Sequence, residues 1–190
     1  MVHKRLFFFA FLVALAACQS DEEPRKTLDL ALGQEAEGGI VFYISPNKDT
    51  ALVASPEDLG PVAWSTKRVV LPTGLTFGSG ATNTAIIVEA KKDDPDNFAA
   101  RLADNLVLDG YDDWYLPDIE QLELLYERRE LIGNLTETVY WSSSAIDGGY
   151  IGGGYSINYN FRPSVYTRRQ TDLNQHAEYL IRPIRTVLPQ

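Results

Sequence analysis

Cys18 is the single cysteine of the 190-residue chain, and it stands directly behind Leu15-Ala16-Ala17 at the end of an apolar run that opens after Lys4 and Arg5. A thiol in that setting has a characteristic chemistry. It is joined to a diacylglycerol through a thioether, the chain is cut in front of it, and the freed amine is acylated. Lys4 and Arg5 supply the basic flank, residues 6–15 the apolar stretch, and Ala16 and Ala17 the small residues that a signal peptidase accepts. Several acyl chains, at roughly 0.8 kcal/mol per buried methylene, hold a soluble domain firmly on a membrane. The competing readings are an ordinary secretory signal and a short membrane anchor, but the run is too short to span a bilayer comfortably. The sequence therefore predicts a signal peptide over residues 1–17, lipid attachment at Cys18, and a membrane partner reached through that lipid. Behind it, Gln19-Ser20-Asp21-Glu22-Glu23 resembles the acidic export signal that carries bacterial lipoproteins to the outer face of the outer membrane. A plain solvated linker, with the domain facing the periplasm, is the alternative.

The second stretch with chemistry in it is 150–169. Tyr150, Tyr155, Tyr159 and Tyr166 offer flat, amphipathic rings that stack on sugars and keep a hydroxyl for hydrogen bonding. Asn158, Asn160, Arg162, Arg168 and Arg169 add donors, and the glycines between 148 and 154 let a loop shape itself around a ligand. Tyr150, Tyr155, Tyr159, Arg168 and Arg169 are the expected ligand-binding residues, for a glycan or a surface protein. Against this, Tyr155, Ile157, Tyr159 and Phe161 alternate with polar residues, and a strand of that pattern turns half of its rings to the core.

Other chemistries fare worse. Asp109, Asp112 and Asp113 could gather around calcium, which takes several carboxylate and carbonyl oxygens, but no EF-hand spacing is present. Glu120, Glu123 or Asp113 could work with His176 as acid and base, yet no spacing singles out a pair. With Cys18 lipidated no thiol remains, which excludes disulfides, thiolate catalysis and cysteine-held metals. His3 leaves with the signal, so His176 stands alone. The expectation is no catalytic residue, no metal and no cofactor. The net charge of −9 becomes more negative once Lys4 and Arg5 are removed, and an acidic domain repels phosphate backbones, so nucleic acid is not an expected partner.

These residues need elements to position them. Residues 38–44 read as a strand after a glycine turn, and 51–54 as its hairpin partner. Between 61 and 80 the chain is irregular, with Trp64 and Phe77 as core anchors and Gly78-Ser79-Gly80 as a flexible break. Thr82 or Asn83 is placed to cap a helix through Ile86, Ile87 and Ala90, and Asp96 to cap one carrying Phe98, Leu102 and Leu106. Asp118 and Gln121 form a capping-box pair that opens a third helix with a stripe of Ile119, Leu122, Leu125 and Tyr126. From Val139 onward the character is β. Helices in the middle and strands at both ends predict an α+β domain over 38–190, behind a lipidated cysteine and flexible tether at 18–37.

Three strings occur in order: Gly38-Gly39-Ile40-Val41-Phe42-Tyr43; Asp113-Trp114-Tyr115-Leu116-Pro117 with Glu120, Leu122, Leu125 and Tyr126 behind it; and Tyr140-Trp141-Ser142-Ser143 with Ile181-Arg182-Pro183-Ile184-Arg185 near the end. The series resembles the family filed as DUF1566, named for the C-terminal domain of a Legionella collagen-like adhesin, and the related Fibrobacter major paralogous domains. Gly78, Gly80, Asn83 and Thr84 fit a further glycine–Asn-Thr string of that family. The resemblance spans residues 38–187. Asp118 stands where the family has serine, Ser144 where it has threonine, and its middle-helix cysteine is absent. The resemblance implies a C-type-lectin-like or formylglycine-generating-enzyme-like mixed fold with paired terminal strands, 40–44 lying beside 180–187. Trp114, Tyr115, Leu116, Tyr140 and Trp141 belong to the signature strings, but large aromatics flanked by apolar residues usually form core, and Arg182 and Arg185 in the terminal strand can pair carboxylates, so all seven read as mainly structural. The resemblance also implies an adhesion-type, non-catalytic role, with a purely structural envelope module or a polysaccharide-acting enzyme as alternatives.

Overall fold

Glu37 and Gly38 both occupy the left-handed region, with φ of 56° and 80°. That is the geometry of a two-residue hairpin turn whose twist matches the strands it joins. The computed structural model describes residues 26–64, 71–136, 139–145, 154–158, 168–169 and 178–190, with 154–158 and 168–169 as backbone strands. The turn joins β1 (Glu35–Ala36) to β2 (Gly39–Ile44), which returns as β3 (Ala51–Ala54). The β2–β3 loop is held by Ser45, whose Oγ accepts from the Asp49 and Thr50 amides at 3.1 and 3.0 Å. The last strand of the chain, β9 (Ile184–Val187), pairs antiparallel with β3, giving the order β1-β2-β3-β9.

The expected pairing of 40–44 with 180–187 is therefore corrected. β3 lies between β2 and β9, because the Glu37-Gly38 turn lays β1 along the other edge of β2. Leu180 and Ile181 belong to β8 (Glu178–Ile181) in the second sheet. Pro183 separates β8 from β9 and has no N–H to donate to a ladder. The start of the domain also moves. Leu28 N donates to Lys48 O at 2.7 Å, Gly33 N to Val41 O at 2.7 Å, and Leu28 and Leu30 pack on Val41, Val53 and Trp114. Residues 28–36, expected as tether, pair with and pack on the first sheet.

The second sheet has the order β4-β8-β5-β6-β7, where β4 is Leu59–Ala63, β5 Val139–Ala145, β6 Gly154–Asn158 and β7 Arg168–Arg169. Its pairs are antiparallel except β5 with β8. The helices are α1 (Gly80–Ala90), α2 (Ala99–Asp104), α3 (Ile119–Glu127) and α4 (Arg129–Ile132). The molecule is α+β, as expected from the sequence, and its strands form two sheets. Trp64 and Trp141 lock β4 against β5, their indole N–H groups donating to Ser142 O at 2.9 Å and Val62 O at 3.0 Å. The main core gathers around them with Ile87, Phe98, Leu116 and Ile181.

Two expected caps are corrected. The residue before α1 is Ser79, and Asn83 is buried inside the helix. Its side-chain amide exchanges hydrogen bonds with Gly74, accepting from Gly74 N at 2.7 Å and donating to Gly74 O at 2.9 Å. The residue before α2 is Phe98. The Asp94–Asp96 turn is instead wrapped around Arg101, whose guanidinium takes the carbonyls of Lys91, Asp94 and Asp96. The Asp118–Gln121 capping box of α3 is present in both directions, at 2.8 and 3.1 Å.

Candidate functional site

The sheet edge formed by β6 and β7 carries the backbone of three expected ligand residues. Tyr155 lies in β6; Arg169 pairs with Ser156 and Arg168 with Ile157 across to β7. The register thus brings the backbones of Tyr155, Arg168 and Arg169 within a residue or two of one another. Tyr150 and Tyr159 lie outside the described residues, as do Cys18 and His176.

On the inner side of this edge, β5 is fully committed to the fold. Ser143 N donates to Pro117 O at 2.8 Å; Ser144 Oγ accepts from Ile119 N and donates to Gly74 O, both at 3.0 Å. Ala145 N donates to Thr73 Oγ1 at 2.7 Å. The Trp-Ser-Ser-Ser string therefore fastens the start of α3 and the 73–74 loop to the second sheet, which satisfies buried amides and hydroxyls that would otherwise be costly.

Asp118 makes a second joint. Its Oδ1 caps α3 through Gln121 N, and its Oδ2 accepts from Gly78 N at 2.9 Å and Gly80 N at 3.1 Å, at the entrance to α1. One carboxylate thus serves the N-termini of two helices, where exposed amides and the helix dipole favour negative charge. Burial raises the Asp118 pKa, and the surrounding backbone amides oppose that shift. Gly78-Ser79-Gly80, expected as a flexible break, is instead this joint. A Cβ on Gly80 would lie 2.3 Å from Gln121 Oε1 and 2.7 Å from the Tyr115 ring.

Arg182 and Arg185 hold two further nodes. Arg182 is fully buried: Nε donates to Asp58 Oδ1 at 2.7 Å, Nη1 to the carbonyls of Ser55 and Pro56 at 2.9 and 3.0 Å, and Nη2 to Asn134 O at 2.7 Å. Tyr140 donates to the other Asp58 oxygen at 2.6 Å, and its hydroxyl accepts from Thr136 N at 2.7 Å. Burial, and then the neighbouring carboxylate, hold that phenol above its ordinary range. Arg185 forms a two-point pair with Asp113 at 2.5 and 3.0 Å and donates to Glu37 O at 2.9 Å. It also lies 3.8 Å over the Tyr111 ring, whose hydroxyl donates to Glu37 Oε2 at 3.0 Å.

The acidic candidates are accordingly dispersed. Asp113 is tied to Arg185, Glu120 accepts from Phe77 N at 2.7 Å, and Asp109 sits in a left-handed turn with Gly110. Among the described residues no three His, Cys, Asp or Glu side chains converge as a metal site. Clefts open along the described residues. One of about 590 Å³ lies between residues 26–30 and 187–190; another, about 290 Å³, runs along Glu35, Gly38, Gly39 and Asp109. Phe77, expected in the core, is 41 % exposed and meets Tyr43 edge-on. Sequence reasoning missed Asp58, Glu37 and Tyr111 as arginine partners; nothing local marks them, since Asp58 and Arg182 are joined only by the fold.

The signature tryptophans, tyrosines and arginines of the three strings are thus spent on packing and on internal hydrogen bonds, and the edge at β6 and β7 remains the place where ligand contact was expected. Compared with known proteins, the chain matches no family model and no curated sequence.

Proposed function

We propose that this chain is an outer-membrane lipoprotein, lipid-anchored at Cys18 and facing outward. Its lectin-like domain, of the DUF1566 type, is a non-catalytic binding module for a glycan or a surface protein. The observation that carries the reading is the division of labour between the two sheets. The N-terminal segment joins the first sheet through Leu28, Leu30 and β1, whereas the tyrosine- and glycine-rich segment leaves and re-enters the second sheet through β5, β6 and β7. Residues 28–36, which follow the proposed anchor, and the strands within the proposed ligand segment thus belong to separate sheets, an arrangement that suits a tethered receptor. Arg182 and Arg185 are occupied by carbonyls and carboxylates of the fold, and the donors of 150–169 are the ones this reading assigns to recognition. Many copies on one surface reach high avidity for a polymeric ligand even when each binds modestly.

Two experiments test the reading. Radiolabelled palmitate should be incorporated by the full-length chain and not by Cys18→Ala; label kept by that variant removes the anchor. The detergent-extracted chain should bind on a glycan array or capture a surface protein. Tyr150→Ala and Arg168→Ala should each weaken that binding at least tenfold, with stability changed by no more than about 0.5 kcal/mol. A ligand bound equally by both variants puts the site elsewhere.

A further inference from the structure

Among the described residues, Phe77 is the largest apolar side chain that the fold holds out to solvent beside another aromatic. It is 41 % exposed, Leu75 on the same loop is 43 % exposed, and the Tyr43 ring of β2 stands 5.2 Å away at 65°. Leaving a phenylalanine in water forgoes part of the stabilisation that burial returns. A floppy loop could let the ring fold inward; this loop is fastened at each step. Gly74 N and O are both bonded to Asn83, and Gly74 O also accepts from Ser144. Ser79 N donates to Thr76 O at 3.1 Å, Phe77 N to Glu120 Oε2 at 2.7 Å, and Gly78 and Gly80 to the buried Asp118. The loop is built to present its side chains, not to hide them.

We infer that Phe77 and Tyr43, rimmed by the Glu120 carboxylate, form a second ligand surface, a stacking platform for a pyranose ring with equatorial hydroxyls. Such a sugar carries its axial C–H bonds on two flat apolar faces and its hydroxyls around the rim. Phe77 receives a face. Glu120, fixed beside the ring by its bond to Phe77 N, accepts from a rim hydroxyl, and the Tyr43 hydroxyl, which makes no hydrogen bond among the described residues, is free to take part. A carboxylate and a phenol hydroxyl beside one exposed ring suit a ligand with an apolar face and a rim of hydroxyls rather than an apolar protein side chain, whose anchors fill well-packed pockets. An open, pre-fixed platform fits one residue within a polysaccharide chain, and the rigidity of the loop lowers the ordering cost of binding. The inference deepens the binding-module reading and rests on it, but its residues are other than those of 150–169.

The full-length chain, extracted in detergent, is run in native gels cast with hydroxyethyl cellulose, arabinoxylan or glycol chitin. Retardation by at least one polymer is expected, weakened at least tenfold in Phe77→Ala and kept in Phe77→Trp, with melting temperature unchanged in both. No retardation by any of the three, or equal retardation of Phe77→Ala, overturns the platform. If Tyr150→Ala abolishes retardation and Phe77→Ala does not, the platform fails while the binding-module reading stands. The reverse result keeps the platform and removes the 150–169 site. Capture of a protein through Phe77, with no polymer retained, overturns the sugar assignment.

Discussion

Arg182 and Arg185 stand three residues apart in one string, yet they do different work. The Arg182 side chain has no exposed surface, and its partner Asp58 is only 11 % exposed; the Asp113 partner of Arg185 is 51 % exposed. Arg182 sits where the chain steps from the second sheet to the first. There the turns at 55–56 and 134 leave carbonyls that face inward, and a guanidinium with five donors satisfies them together. Arg185, one step further along and itself only 8 % exposed, ties the β1–β2 turn to the loop before Trp114 through a carboxylate that stays half in water. The comparison teaches that burial, not the number of contacts, sets what such a residue is worth. A charge that water can replace is a modest loss; a buried carboxylate stripped of its partner is a large one.

The largest expected effect follows directly. Arg182→Ala should cost about 3–5 kcal/mol in urea unfolding, because Asp58 and three carbonyls are left buried without their donor. Arg182→Met combined with Asp58→Leu should recover most of it. A loss below about 1 kcal/mol in the single variant would break the comparison, since it would make Arg182 no more consequential than a surface ion pair.

Tyr140→Phe probes the same buried node with a pH signature. At neutral pH it should cost about 1.5–3 kcal/mol, the range for a hydrogen bond to a charged group. The folded pKa of Tyr140 is raised, so the folded chain keeps a proton that the unfolded chain releases. The stability carried by this group is complete below the ordinary tyrosine value of about 10 and falls as pH rises above it. The variant should therefore lose stability less steeply than the parent above about pH 10. Tyr111 and Tyr115, also raised, the first mainly by its bond to Glu37 and the second by burial, keep the remainder of the slope. Equal slopes in parent and variant would count against a protonated, Asp58-bound Tyr140.

What was legible in the sequence was local. The Asp118–Gln121 box lies within one turn of helix and could be read directly. That the same carboxylate also holds Gly78 and Gly80 could not, because those residues are about forty positions away and meet it only in the fold. The terminal strands were misplaced by a two-residue strand, β1, whose turn uses Glu37 in a conformation more often given to Asn, Asp or Gly. Phe77 was assigned to the core on residue type alone, when the polar anchoring of its loop decides its position. Of the ligand segment, alternation revealed the strand at 154–158, but only pairing shows Arg168 and Arg169 opposite Ile157 and Ser156. The structural role of Arg182 and Arg185 was readable in kind; their partners, more than seventy residues distant, were not.

At the exposed node the effects shrink. Arg185→Ala should cost about 1–1.5 kcal/mol, the sum of a half-exposed pair and a cation–π contact. In 1 M salt that cost should fall, because exposed charges are screened within a few ångström, while the Arg182→Ala cost should hardly move. If salt reduced both costs alike, the two carboxylate partners would be equally wet and the contrast between the nodes would disappear.

The smallest effect is the most discriminating. Tyr111→Leu keeps an apolar cover over Gly38, whose Cβ position lies 2.8 Å from the tyrosine ring, but it removes the π face under Arg185 and the hydroxyl on Glu37. An exposed cation–π contact is worth about 0.5–1 kcal/mol, so the single variant should lose less than about 1 kcal/mol. A double-mutant cycle with Arg185→Ala isolates the contact: a coupling of about 0.5–1 kcal/mol is expected. A coupling near zero would mean that Asp113 and Glu37 alone hold the guanidinium and that the ring is packing. The node would then rest on its ion pairs and the Glu37 carbonyl bond, and the coupling between ring and guanidinium would be absent at any salt, whereas a real ring contact leaves a coupling that salt does not remove. That residual measures how far Arg185, paired with a half-exposed carboxylate, shares the character of Arg182.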